Sequence, residues 1–411
     1  MAGARITGFI LYCSIIFNSM VVSAVTVSSV TQLENAVNNA NTGGDKNIII
    51  NADASPYNLD GVYLRLTADN ITIRGATGKS GDVVIDGRYI TTEIFQIIGS
   101  HITVKDLTLK RAVYHPIHVY PETKDVVGTL IENVQVIDPG QQAIKINQNG
   151  AKTYSAISGT IKNSSIELTA AGRAKVWEIN GSCYTGGVDG HHAIGWNVEG
   201  NTIKGFWCEG GLSEHGVHLW SFSQDTVVER NLIINCDRGI GFGLGSSGHI
   251  GGVIRNNMIY HDNGHAHSDV GISLESASSA EVYNNTIYFQ HSYPNAIEYR
   301  FSATAGGSIK NNLTNRAISS RNDGTALVTH NIVSAQSSYF KDIANGDLHL
   351  DYAVPGVVDS GISIVGLQFD FDGELRANNG GVDIGADELI TGETNNGAVV
   401  SPVNSLLLKN E

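Results

Sequence analysis

The sequence predicts an all-β chain wound as one parallel β-solenoid, closed at its N-terminal end by a short helix. Three observations predict it. A short apolar–Asn–apolar motif returns along most of the chain, a second five-residue strand recurs in the same units, and turn residues are abundant, with 47 Gly and 36 Asn in 411 residues. Gly lies well above its average usage, yet only 7 residues are Pro and 41% are apolar, so a core can be buried and a collagen-like or disordered chain is excluded.

The first motif appears as Asn70-Ile-Thr-Ile, Leu130-Ile-Glu-Asn133-Val, Thr160-Ile-Lys-Asn163-Ser and Trp196-Asn-Val-Glu-Gly-Asn201-Thr-Ile. It continues as Val228-Glu-Arg-Asn231, Ile254-Arg-Asn-Asn257, Val282-Tyr-Asn-Asn285, Ile309-Lys-Asn-Asn312 and Val328-Thr-His-Asn331. From Asn133 to Asn331 the steps are 30, 38, 30, 26, 28, 27 and 19 residues. A repeat of this order means stacked units, each burying its face on the next. Asn suits the bend because it tolerates left-handed backbone and can stack into ladders between coils. Length alone suggests two or three domains, but the repeat replaces them with one stack over 25–390, followed by a tail over 391–411.

At the N-terminus, Val30, Leu33, Ala36 and Val37 share one helical face ahead of the strand Asn47–Asn51, which predicts a helix covering the open strand edges of the first coil. Before it, Arg5, an apolar run from Ile6 to Val22 and Val22-Ser23-Ala24 form a secretory signal pattern over 1–24, so the mature chain is expected to be secreted or periplasmic and free of the membrane. Removing the leader leaves Cys183, Cys208 and Cys236, hence at most one disulfide; a Cys183–Cys208 bridge and buried thiols both remain open.

The second strand is the more informative one. Its copies are taken as Pro116–Tyr120, Ala143–Asn147, Val176–Asn180, Gly216–Trp220, Gly239–Gly243, Gly271–Glu275 and Ala296–Arg300, with positions two and four apolar throughout and therefore inward. Position three then forms an outward column of His118, Lys145, Glu178, His218, Gly241, Ser273 and Glu298. Position five forms another of Tyr120, Asn147, Asn180, Trp220, Gly243, Glu275 and Arg300. Coils ~4.8 Å apart make such a face a groove long enough for several sugar units. A hydrated surface would carry Ser, Thr and mixed charge, whereas this one gathers acids, bases and aromatics.

Gly- and His-rich loops border it: Cys183–Ala193, Cys208–His215 and His261–Asp269. They add Asp189, His191, His192, Glu214 and His215 as acid and imidazole groups suited to proton transfer near neutral pH, with Asp237 and Arg238 close by. A three-residue spacing on a flat strand puts His215 and His218 on opposite faces, so shared metal ligation would need a bend between them. His265, His267 and Asp269 could hold a cation, and Glu275 and Glu298 with loop carboxylates could hold Ca2+.

With these features the chain resembles the pectate-lyase-like right-handed β-helix superfamily. The closing Phe371-Asp-Gly-Glu-Leu-Arg376 and Gly381-Val-Asp-Ile-Gly-Ala-Asp-Glu388 resemble a C-terminal signature of its secreted bacterial members. The mix of Lys, His and Arg is similar to the chondroitinase B and alginate lyase family, whose catalytic Lys, Arg and His lie near a calcium ion bound by Glu; its Arg-His-Gly appears here only as Glu214-His215-Gly216, with Glu in place of Arg, and its Lys-Ser segment has no counterpart at the corresponding place.

The expected activity is β-elimination on a uronic-acid-containing polysaccharide. His218 or His215 is the expected base, Lys145 a further candidate, and Arg238, Arg300, Lys145 or Ca2+ the partner of the substrate carboxylate. The alternatives are a glycoside hydrolase drawing a carboxylate pair from Glu178, Asp189, Glu214, Asp237 and Glu275, a uronan C5-epimerase, and a non-catalytic glycan-binding or adhesin solenoid using Trp220 and Tyr120. A net charge of -14 excludes general affinity for nucleic acid or anionic membrane, and a monomer is expected.

Overall fold

The computed structural model describes residues 23–377 and 380–390. The expected leader, apart from Ser23 and Ala24, and the tail over 391–411 lie outside the described residues. The chain winds as coils whose strands pair in parallel with their counterparts in neighbouring coils, giving sheets of twenty, ten and six strands and one two-stranded hairpin. Alternation sets the register. The inward residues Ile131, Ile161, Val198, Val228, Ile254, Val282 and Ile309 sit one above the other and are fully buried. Each contributes about 1.5–3 kcal/mol of apolar burial, and none can do so without its neighbour coil.

The Asn motif divides its two jobs between adjacent residues. Gly200, Arg230, Asn256, Asn284, Asn311 and His330 take the left-handed conformation, with φ from 50° to 61°. The residues after them, Asn201, Asn231, Asn257, Asn285, Asn312 and Asn331, form a ladder in which each side-chain oxygen accepts the backbone N–H and the side-chain amide of the preceding member. Asn133 and Asn163 occupy the left-handed position instead, and Ser164 begins the ladder by donating its N–H to Asn201.

The expected N-terminal helix is α1, Val30–Asn41, capped by Ser29, whose side chain accepts from Gln32 N; Leu33, Ala36, Val37 and Ala40 are buried over the first coils. At the other end, the closing signature packs back on the solenoid. Buried Arg376 donates to Asn256 Oδ1 at 2.7 Å and to the carbonyls of Gly385 and Ala386, while Ala386 N donates to Thr286 Oγ1 at 2.8 Å. Cys183 and Cys208 form a disulfide and Cys236 is a buried thiol. Among the described residues no helix is long and apolar enough to cross a membrane.

One strand of the sequence reading is a helix. Val176–Asn180 lies within α2, Ala170–Asn180, which starts on a Thr169 cap and ends at left-handed Gly181. Ala170-Ala-Gly-Arg-Ala-Lys has strong helix formers and a cap, and these outweigh the short apolar alternation in Val-Trp-Glu-Ile-Asn.

Candidate active site

The ten-stranded sheet carries one strand per coil, including His115–Val119, Gln142–Ile146, Gly186–His191, His215–Trp220, Arg238–Phe242, Ile272–Glu275 and Asn295–Arg300. Its outward column runs Arg65, Gln96, His118, Lys145, Asp189, His218, Gly241, Ser273, Glu298 and Ser319. Asp189 and His191 thus hold the places expected for Glu178 and Asn180. Glu178 is exposed on α2 and paired with Lys175 at 2.6 Å, while Asn180 bonds Gly140 O and Gln141 at the helix end.

The strand starts supply a further column. A side chain at Gly187, Gly216, Gly239 or Gly271 would run into Ile203, Ile233, Ile259 or Ile287, so the first position faces the core, as does the second, and the residue before it is turned outward. His115, Gln142, His215 and Arg238 therefore join the face. Small residues at 116, 143, 187, 216, 239 and 271 are the signal in the sequence that marks this turn. It is also the bend that His215 and His218 require: their rings lie on the same side, with centroids 4.2 Å apart.

The centre of the face is one charge network. Lys145 Nζ donates to Asp189 Oδ2 in a buried ion pair and lies 3.1 Å from His191 Nε2. Trp220 Nε1 donates to Asp189 Oδ1 at 2.8 Å, and His191 packs edge-on to the Trp220 ring. His218 Nδ1 is 3.7 Å from both Asp189 Oδ1 and Glu214 Oε2. Burial would raise the Asp189 carboxyl, but the Lys145 ammonium and the two imidazoles outweigh it and hold it well below the usual carboxylate range. Burial, reinforced by His218 and Arg238, holds His215 well below the ordinary imidazole value, so it is neutral.

Accessibility sorts these groups. The His218 side chain is 1% exposed and that of Lys145 5%, whereas His191 is 17% and Glu214 29% exposed, so His191 and Glu214 are the members a bound molecule meets. Tyr120, Asn147 and Trp220 are half-buried along the same edge. His118 is held by Glu93 at 2.8 Å, next to His115 and Tyr120. His192 sits in the following turn beside Ser155. Asp237 is not on the face. It is 1% exposed and accepts from Ser213 N at 2.8 Å, and burial pushes its carboxyl up to about 7.

Beyond Gly241 and Gly243, the lower face is an arginine–carboxylate network. Glu275 takes Arg300 at 2.6 Å and Gly245 N at 2.8 Å; Glu298 takes Arg321 at 2.8 Å, Tyr293 Oη at 2.6 Å and Asn295 Nδ2 at 2.7 Å. Two guanidinium groups already neutralise these carboxylates, which does not fit the Ca2+ site expected for Glu275 and Glu298. The His265, His267 and Asp269 set separates as well: His267 contacts Glu209 O, Asp269 pairs with Arg238 at 3.2 Å, and His265 lies with His261 and Asp262 under a stacked Trp207.

This architecture is a right-handed parallel β-helix. The family described as right handed beta helix region matches residues 93–287. Among solved structures, the chain is similar to pectate lyase Pel9A, with 16% identity, 85% of this chain and 90% of that one covered and a TM-score of 0.57. It is also similar to PfbA, a surface adhesin of Streptococcus pneumoniae, at 11% identity, with 75% and 89% covered and a TM-score of 0.49. Endo-xylogalacturonan hydrolase from Aspergillus tubingensis matches at 10% identity, with 75% and 94% covered and a TM-score of 0.41. No curated protein matches the sequence significantly. At 16% identity the likeness to Pel9A shows the fold alone, and the activity has to be argued from the site.

Proposed function

We propose that this chain is an exported, monomeric carbohydrate-active enzyme that binds a polysaccharide along the ten-stranded face and cleaves beside a uronic acid by β-elimination. The observation that carries the reading is the Lys145–Asp189–His191 unit set against the Trp220 ring. Because the Lys145 ammonium only donates, its 3.1 Å contact leaves the lone pair of the neutral His191 ring on Nε2; that nitrogen is the base, and the Asp189 charge 3.5 Å away stabilises the imidazolium that forms. The sugar stacks on Trp220 and gives its C5 proton to His191. The electron pair forms the C4–C5 double bond, the C4–O bond breaks, and the leaving oxygen is protonated from the open groove. Lys145 is the positive charge nearest the carbanion as it develops.

A hydrolytic reading needs one carboxyl protonated, and Asp189, locked as an anion on Lys145, is unsuited to that role. The test is incubation with uronate-containing and neutral glycans. Unsaturated, ultraviolet-absorbing products support β-elimination, and new reducing ends without unsaturation refute it. His191→Ala is expected to lower turnover by roughly 10²–10⁴-fold without unfolding the chain.

A further inference from the structure

Three buried imidazoles on this face, His118, His215 and His218, have no protein partner for one of their nitrogens, and the last two stand together. His218 Nε2 lies 3.1 Å from Gly243 O, and a carbonyl only accepts, so Nε2 carries a proton. Its Nδ1 is buried without a hydrogen-bond partner and faces Glu214 Oε2 and Asp189 Oδ1, each at 3.7 Å. A proton on Nδ1 would be beyond hydrogen-bond reach of both oxygens, and a lone pair there would face two anions. His215 repeats the pattern: Nε2 contacts Ser273 Oγ at 3.1 Å and Nδ1 is buried and unpartnered. A nitrogen pair and carboxylates converging in this way call for a cation.

We infer that His215, His218 and Glu214 bind one divalent transition-metal ion, zinc being the best match, at a position beside Asp189 that opens onto the groove. One ligand atom from each residue lies within 4.8 Å of the others. Tetrahedral zinc with bonds of about 2.0–2.1 Å places its ligands roughly 3.3 Å apart, a closure that the partly exposed Glu214 can provide. Two imidazoles and one carboxylate select zinc and its neighbours over calcium or magnesium, so this is a different site from the calcium site that Glu275 and Glu298 fail to make. The outer bonds that such a site needs are in place, with Gly243 O fixing the His218 tautomer and Ser273 orienting His215. Gly241 leaves the room: a Cβ there would sit 2.6 Å from His215 Nε2 and 2.9 Å from His218 Cδ2.

Three protein ligands leave a fourth position for an oxygen. This part rests on the β-elimination reading. There the ion would take a carboxylate oxygen of the substrate, adding positive charge next to Lys145, whose own charge is already paired with Asp189.

The test uses the full chain, freed of metal with a chelator, dialysed, and titrated with Zn2+ and, as a spectroscopic probe, Co2+. The expected result is a visible four-coordinate Co2+ spectrum and loss of one bound ion per chain, at least tenfold in affinity, in Glu214→Gln and in His218→Gln, which retains a donor for Gly243 O. Thermal unfolding of the metal-free variants verifies that they fold. His265→Ala, in the separate His261–Asp262–His265 group, is expected to leave this ion in place. An ion lost only in His265→Ala, affinity unchanged in both groove variants, or no ion bound would each overturn the inference. Metal binding that depends on Glu214 and His218, without unsaturated products from any glycan, would uphold the site while refuting the lyase reading.

Discussion

Trp220 donates its indole N–H to Asp189 Oδ1 over 2.8 Å, while Lys145 holds the other oxygen of the same buried carboxylate. The aromatic platform and the charge network are therefore fixed by one residue. Trp220→Phe keeps a ring but removes the donor, and is expected to cost about 1.5–3 kcal/mol in urea unfolding, with weaker glycan binding. Asp189→Asn leaves the Lys145 ammonium buried without its counter-charge and is expected to cost more, about 3–5 kcal/mol. Equal stabilities for the two variants would show that the ion pair does not anchor the face.

Gly239 and Gly241 sit two residues apart and predict opposite phenotypes. A Cβ at 239 would meet Gly271 O at 2.2 Å, a backbone atom that cannot yield without breaking the sheet; at 241 its nearest neighbours would be the His215 and His218 rings. Gly239→Ala is expected to lower the unfolding midpoint strongly. Gly241→Ala is expected to spare stability but impair turnover tenfold or more, by displacing the imidazoles. Comparing midpoints and rates of the two variants checks both halves.

The Asn ladder predicts a graded series. Asn257→Ala removes the acceptor for Asn231 N and Asn231 Nδ2, both at 3.0 Å, and the donor to Val228 O, all in the interior, and to the partly buried Arg255 O. With about 1–3 kcal/mol for each buried group left unpaired, a loss of at least ~3 kcal/mol is expected. Asn331→Ala, at the half-buried end of the ladder, is expected to cost less. A flat series along the ladder would contradict a cooperative stack.

The solenoid was legible because its cause is periodic. Inward aliphatics and laddered Asn recur at the coil spacing, and the helix over Val30–Asn41 shows its apolar face in four residues. The site was legible only where it obeyed the same period. His118, Lys145, His218, Gly241, Ser273 and Glu298 fall in register as the alternation requires. Glu178 and Asn180 were misplaced because a five-residue apolar pattern cannot distinguish a strand from a helix turn, and the true strand, Gly186–His191, hides its alternation behind five glycine or polar positions. The pairing of His215 with His218 depends on a bend at Gly216 that alternation by itself excludes. The roles of Glu275 and Glu298 depend on Arg300 and Arg321, one coil away and more than twenty residues distant.

A last prediction concerns pH and lies away from the groove. His349, on the hairpin strand Asp347–Leu350, is clasped by Asp347 through Nδ1 and by Asp372 through Nε2 at 2.8 Å, which ties the closing segment to the hairpin. Burial would lower this imidazole, but the two carboxylates outweigh it and push it up to about 10. A folded pKa above the unfolded ~6.5 stabilises fully below pH 6.5, and the contribution is lost as pH rises toward 10. Neighbouring Asp387, pushed up to about 7 by burial, loses its own contribution as pH rises through 7, so it is already ionised over most of this window. Between pH 7.5 and 10 the wild-type chain is therefore expected to lose on the order of 2–3 kcal/mol through His349, read as a falling unfolding midpoint. His349→Gln is expected to be less stable at pH 7.5 and to show a flatter dependence above it. An unchanged slope in the variant would mean that the alkaline loss arises elsewhere and that the His349 clasp is not a charged one.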